Sequence, residues 1–241
     1  MNTTNCVKTM ADITQLTNNE ESVQDTPTGR LSVQILSVGA FGKAVATYMK
    51  EMRSDLFETP VDNAILPLPT TWLPARCILL ASWKPVPPLC ELLDDVCHKW
   101  DRPFLPLILD SRYMRLGPAI IPGLEGCWKC WNRRYRKQLT FPEDYSALLS
   151  HYESEPGSGP SGFLESFAMM GAARLSQIID AIDSGVDRAG FIWQLDMLTG
   201  AISTGKLIGI HGCERCGTGR REDVRSYADM QSALKYLWIG M

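Results

Sequence analysis

Cysteine is the first residue type here that could do chemistry. Of eight cysteines, four form two CxxC pairs, Cys127-Trp-Lys-Cys130 and Cys213-Glu-Arg-Cys216, while Cys6, Cys77, Cys90 and Cys97 stand alone. A CxxC turn lets two thiolates converge on one ion, and two such turns supply the four soft ligands of a closed tetrahedral zinc site. Gly126 precedes the first pair, and Gly212 and Gly217 flank the second, easing the chain through tight turns. Lys129, Arg133, Arg134 and Arg215 are near enough in sequence to offset thiolate charge. A redox pair is the competing reading. Against it, two pairs are present and neither follows a thioredoxin-like first strand. Filled by four thiolates, the site has no open position for substrate or activated water, so its expected role is architectural. Eighty-two residues separate Cys130 from Cys213, far beyond the about 12 to 20 of a finger or ribbon, so the metal would clip together distant segments.

A second candidate is Gly39-Ala-Phe-Gly42, where a phosphate could rest on the N-terminus of a following helix. The pattern, Gly39-x-x-Gly42-x-Ala44, falls short of the full dinucleotide fingerprint. The second apolar run, residues 77–81, leads into Ser82-Trp83-Lys84 with no acid to hold a ribose hydroxyl. Packing is the competing role for both glycines. Residues 129–137 carry Lys129, Arg133, Arg134, Arg136 and Lys137 without an acid, and read either as a solvated helix or as a patch for an acidic peptide or partner. His98, His151 and His211 match no nucleophile pattern, so no catalytic residue is assigned; His211 could support the metal ligands from behind.

The elements that must position these groups alternate. Residues 31–38 read as a strand running into the glycine turn, and Ala44, Val45, Tyr48, Met49 and Met52 form a helical stripe after it. Residues 77–81 are a second strand, followed by a helix carrying Leu89, Leu92, Leu93, Val96 and Trp100. Residues 104–109 are a third, with Pro103 and Pro106 arguing for an edge or interrupted position. Alternation of strand and helix implies a mostly parallel sheet with right-handed crossovers. Residues 153–162 read as a flexible surface loop. A long helix follows, capped by Ser161, stopped by Gly185 and presenting Phe163, Leu164, Phe167, Met170, Gly171, Ala173, Leu175, Ile178, Ile179 and Ile182. Residues 191–196 and 201–208 flank Met-Leu-Thr-Gly and form a hairpin that ends the sheet antiparallel.

Composition bounds the answer. The chain has 241 residues, 45% hydrophobic and 21% charged, and a net charge of −3. That is a soluble globular class, with no electrostatic call for nucleic acid and no apolar run long enough for a membrane helix. Residues 1–30 are a polar tail expected to be disordered, 31–217 the α/β domain and 218–241 an extension. No signal pattern opens the chain, so a cytoplasmic location is expected, and eight cysteines are then not a disulfide framework.

The run Arg115-Leu-Gly-Pro-Ala-Ile-Ile-Pro-Gly-Leu-Glu-Gly-Cys127-Trp-Lys-Cys130-Trp-Asn-Arg-Arg134 resembles the "VGP…PG…CLxC…R" signature of ThiF-like proteins of thiazole/oxazole-modified peptide (bacteriocin) biosynthesis. The long helix, Leu195-Asp196-Met-Leu-Thr-Gly200 and His211-Gly-Cys213-Glu-Arg-Cys216 are similar to that family's Ala-rich helix, "DlrtG" turn and "HPxCxxC" knuckle. The resemblance, over residues 31–217, implies a degenerate Rossmann-like ThiF/MoeB-type α/β fold, a mostly parallel sheet with antiparallel C-terminal strands and a structural four-cysteine zinc site. It further implies a role beside a YcaO protein, which uses ATP to activate a backbone amide so that a Cys, Ser or Thr side chain cyclises with loss of water. The ThiF-like protein of such a system helps capture the precursor's leader peptide and supports the complex, as a homodimer or hetero-oligomer. With a mostly polar stretch of about 30 residues before Leu31, neither the winged-helix leader-recognition domain of longer relatives nor a fused YcaO domain is expected. An autonomous adenylating enzyme is the alternative expectation; a nicotinamide oxidoreductase rests only on the glycine turn.

Overall fold

The computed structural model describes residues 32–61, 75–124, 126–160 and 162–217. Seven strands form one sheet, and three of them, Val33–Val38, Cys77–Ser82 and Phe104–Asp110, come from near-continuous apolar runs buried on both faces. β1 (Val33–Val38) turns directly into α1 (Gly39–Met52), β2 (Leu56–Val61) returns, and β3 (Cys77–Ser82) leads to α2 (Pro87–Lys99). β4 (Phe104–Asp110) and β5 (Tyr113–Leu116) form a hairpin, α3 (Trp128–Gln138) and α4 (Pro142–Ser154) follow, and α5 (Glu165–Asp183) precedes the hairpin β6 (Phe191–Asp196) and β7 (Ile202–Lys206). The order is β2-β1-β3-β4-β5-β6-β7, parallel from β2 to β4 and antiparallel from β4 to β7.

The two-residue period of the strands sorts their side chains into two cores. Val33, Ile35, Leu79, Leu105 and Leu107 face α1 and α5, whereas Leu36, Leu80, Phe104 and Ile108 face α2 and the cysteine knuckles. The hairpin expected over residues 191–208 is present. At the far end of α5, Gly185 takes a left-handed φ of 73°, and its N–H reaches Ile182 O while Val186 N–H reaches Ala181 O, the double bond that closes a helix C-terminus. Ser161 and Leu31, read as a cap and a strand start, lie outside the described residues, as do residues 1–30 and 218–241. The helix itself begins at Glu165, after Phe163 and Leu164.

Several expectations are corrected. β2, not residues 77–81, is the second strand in sequence. It is an edge strand with a largely polar middle, so its pattern is faint and its Pro60 tolerable. β4 is central and wholly buried, although it contains Pro106. Gly117 N–H donates to Pro106 O at 2.8 Å just past the last paired residues of the β4–β5 ladder, so only the reciprocal donor at the ladder's end is missing. On α2 the buried stripe is Leu89, Cys90, Leu93, Asp94 and Cys97, with Leu92 and Trp100 exposed. Small cysteines hold the places where larger apolar residues were expected. Met52 on α1 and Leu164 and Met170 around α5 are likewise exposed. Residues 153–162 are not wholly a loop, because α4 runs to Ser154 and Lys84 anchors the segment beyond it.

Candidate metal centre and the glycine turn

Each cysteine of the first pair sits at the start of α3. Cys127 is in the N-cap position, its C=O accepting from Trp131 N–H at 3.1 Å, and Cys130 lies in the first turn. The second pair lies in turns after β7, where Cys213 N–H donates to Ile210 O at 3.1 Å and Gly217 N–H to Cys213 O at 2.7 Å. A Cβ on Gly217 would fall 2.3 Å from that same carbonyl, so this turn requires glycine. The knuckles meet: Cys127 Sγ is 3.7 Å from Cys213 Sγ, Cys130 Sγ is 3.3 Å from Cys216 Sγ, and all four sulfurs lie within 4.8 Å of one another. Thiolates bound at about 2.3 Å to one tetrahedral ion stand about 3.8 Å apart, so this donor set fits a metal ion. Ile210 N–H donates to Cys130 Sγ at 3.2 Å, a bond that supports a charged sulfur.

The electrostatics agree with crowded thiols. Burial pushes Cys127 well above the ordinary thiol range, and burial together with Cys130 lifts Cys216 to about 11. Cys213 feels burial too, but the N–H groups of Cys216 and Arg215 together with the Cys130 and Cys127 thiols outweigh it and bring the thiol down to about 7. The cations expected to compensate are partly engaged elsewhere. Arg215 pairs with Asp94 at 3.5 Å and with Asp95, while Lys129 reaches Glu91 at 3.2 Å, all three acids on α2. The second knuckle is thereby pinned to α2. Arg133, Arg134, Arg136 and Lys137 are exposed on α3, and His211 is exposed.

The glycine turn has a different occupant. Gly39 adopts a left-handed φ of 69°, and a Cβ there would fall 2.5 Å from the Trp83 ring; a Cβ on Gly159 would fall 2.8 Å from the same indole. Trp83 is thus seated between the turn and the chain beyond α4. Gly42 meets the sheet, since its Cβ would fall 2.4 Å from Ala81 O, so it lets α1 lie close against β3. The second strand, now β2, is followed in sequence by Asp62, the residue type a ribose would need; Asp62 lies outside the described residues.

Sequence reasoning missed one cluster. Asp110 ends β4 and is buried; it accepts from Tyr135 OH at 2.6 Å and from Arg115 Nη1 at 3.4 Å. The Arg115 guanidinium lies 4.3 Å from the Tyr135 ring centroid and 5.2 Å from that of Trp131, and Tyr145 packs edge-on against Tyr135 at 5.7 Å. Burial lifts Tyr135 to about 12, so it remains a donor at neutral pH. Its only sequence trace was an acid and an arginine five positions apart, Asp110 at the end of β4 and Arg115 inside the four-residue β5.

No family model and no curated protein sequence matches the chain. Solved structures do. A heterocyclase in complex with substrate and cofactor aligns with a TM-score of 0.58 and 18% identity over 82% of this chain and 27% of its own. The heterocyclase TruD gives 0.56 and 16% over 78% and 28%, and MccB of E. coli 0.54 and 14% over 78% and 66%. The fold is shared with heterocyclases and with MccB. The chain spans little more than a quarter of either heterocyclase. No described helix is long and apolar enough to cross a membrane.

Proposed function

We propose that the chain is a ThiF-like subunit of an azoline-forming peptide cyclodehydratase, working in the cytoplasm beside an ATP-dependent YcaO protein and helping to capture the precursor's leader peptide. It acts as a homodimer or within a hetero-oligomer, and its four cysteines, Cys127, Cys130, Cys213 and Cys216, hold a structural zinc ion. The observation that carries this reading is a heterocyclase-like fold in which Trp83 rests on Gly39, the place where a Rossmann-type frame would cradle phosphate. A chain so built supports assembly more readily than ATP chemistry. The four-cysteine donor set closes every ligand position and fits the same architectural role.

Reconstitution tests it. The YcaO partner, this chain and a Cys-containing precursor are expected to yield heterocycles, each with loss of one water, and omitting this chain to abolish them. Full activity without it overturns the proposal. The second reading, autonomous adenylation of a peptide carboxylate, is favoured by Asp62 after β2 and by the likeness to MccB, whose structures include one with ATP. ATP–pyrophosphate exchange by the isolated chain decides between them, and a flat result is expected.

A further inference from the structure

Away from the cysteines, a cavity of about 350 Å³ opens between the start of α2, the end of α4 and the turn after β3. That volume is in the range of small-molecule sites. Its walls are apolar and stiff, with Pro85, Val86, Pro88, Leu92 and Leu149 among them, and Glu153 supplies its sole carboxylate. Two positive features converge on it. The first is Lys84, only 2% exposed, whose Nζ donates to Pro156 O and Ser158 O at 2.7 Å each and lies 4.7 Å from the Tyr152 ring centroid. Among the described residues it has no carboxylate partner, and burial lowers its pKa. A buried ammonium without a counter-ion is costly, since two carbonyls and an aromatic face supply dipoles but no charge. The second is the N-terminus of α2, which has no side-chain cap and no acid in its first turn; Pro87 and Pro88 carry no N–H there, so what this end of the 13-residue helix offers an anion is its dipole rather than a row of donors.

We infer that this cavity binds a carboxylate carried on a small apolar body, the carboxylate satisfying Lys84 and the α2 N-terminus while the body lies on the proline and leucine walls. Lys84, Leu92 and Pro88 are the residues that read this ligand. The inference is independent of the function proposed above. Its chemistry is shared by two sources, a peptide C-terminus and an acidic side chain following an apolar residue.

Calorimetric titration of the full chain with N-acetyl-leucyl-leucine tests the first source, and N-acetyl-leucyl-glutamyl amide the second. At least one acid is expected to bind with one site per chain, and the carboxamide of N-acetyl-leucyl-leucine, or the glutaminyl analogue, to bind at least about tenfold more weakly. Lys84→Met is expected to lose the preference for acid. Because Lys84 also anchors the segment after α4, exposed Leu92→Asp provides a second variant. It places an acid in the wall, and acid binding is expected to fall about tenfold with an unchanged melting temperature. Failure of both acids to bind, equal binding of acid and amide, or indifference to Leu92→Asp overturns the inference, whatever the reconstitution gives.

Discussion

At the scale of single residues, carboxylates decide much of the local structure. Asp94 is buried on α2, where desolvation raises its pKa and Arg215 of the second knuckle draws it back down. The arginine that sequence proximity assigned to the thiolates therefore also serves the helix beneath them. Asp196 works differently. It closes β6 by pairing with Arg112 and accepting from Leu198 N–H at 3.0 Å and Thr199 N–H at 3.3 Å, and the Arg112 bond foremost holds its carboxyl far below the ordinary range. A depressed folded-state pKa contributes stability that is full above the unfolded value, about 4, and is lost as pH falls toward the folded one. Asp196→Asn is therefore expected to melt below wild type at pH 7, with the gap closing progressively below pH about 4. Thermal melts across that range check it, and a gap independent of pH contradicts it.

At the scale of elements, the glycines of the first turn are better explained by packing than by ligand. Gly42 faces the Ala81 carbonyl, a backbone atom that cannot swing away. Helix propensity alone would favour Gly42→Ala by about 1 kcal/mol. The 2.4 Å approach reverses the sign, because α1 must lift from β3. Net destabilisation of about 1–3 kcal/mol is expected, read by urea denaturation. Gly171 makes the corresponding approach of α5 to Leu107 on β4. Both helices were legible from their apolar period, but which residues of the period lie inwards was not. Cys90 and Cys97 replaced Leu92 and Trp100 because the sheet beneath α2, not the helix, sets the direction of burial. β2, β5 and α4 were too polar or too short to register, being held by neighbours more than by their own pattern.

At the scale of the whole molecule, the cysteine clip joins the start of α3 to the turns after β7, with Cys127 and Cys213 86 positions apart. By the loop-closure relation for a crosslink, tying a chain across that distance is worth about 4–5 kcal/mol. About one zinc per chain is expected by elemental analysis. Chelation should lower stability by about 4 kcal/mol or more, and Cys127→Ser or Cys213→Ser should remove both metal and cooperative folding. A metal-free preparation with an unchanged melting curve refutes the structural role. The sequence by itself determined the alternation of strand and helix, the closing hairpin and the pairing of two distant CxxC turns, because each is written in local period or spacing. Only the tertiary structure decided what those features face. Trp83 lies on Gly39, Lys84 reaches the carbonyls of Pro156 and Ser158, and Asp110 meets Arg115 and Tyr135 because the fold brings together residues whose separation in the chain carries no signal.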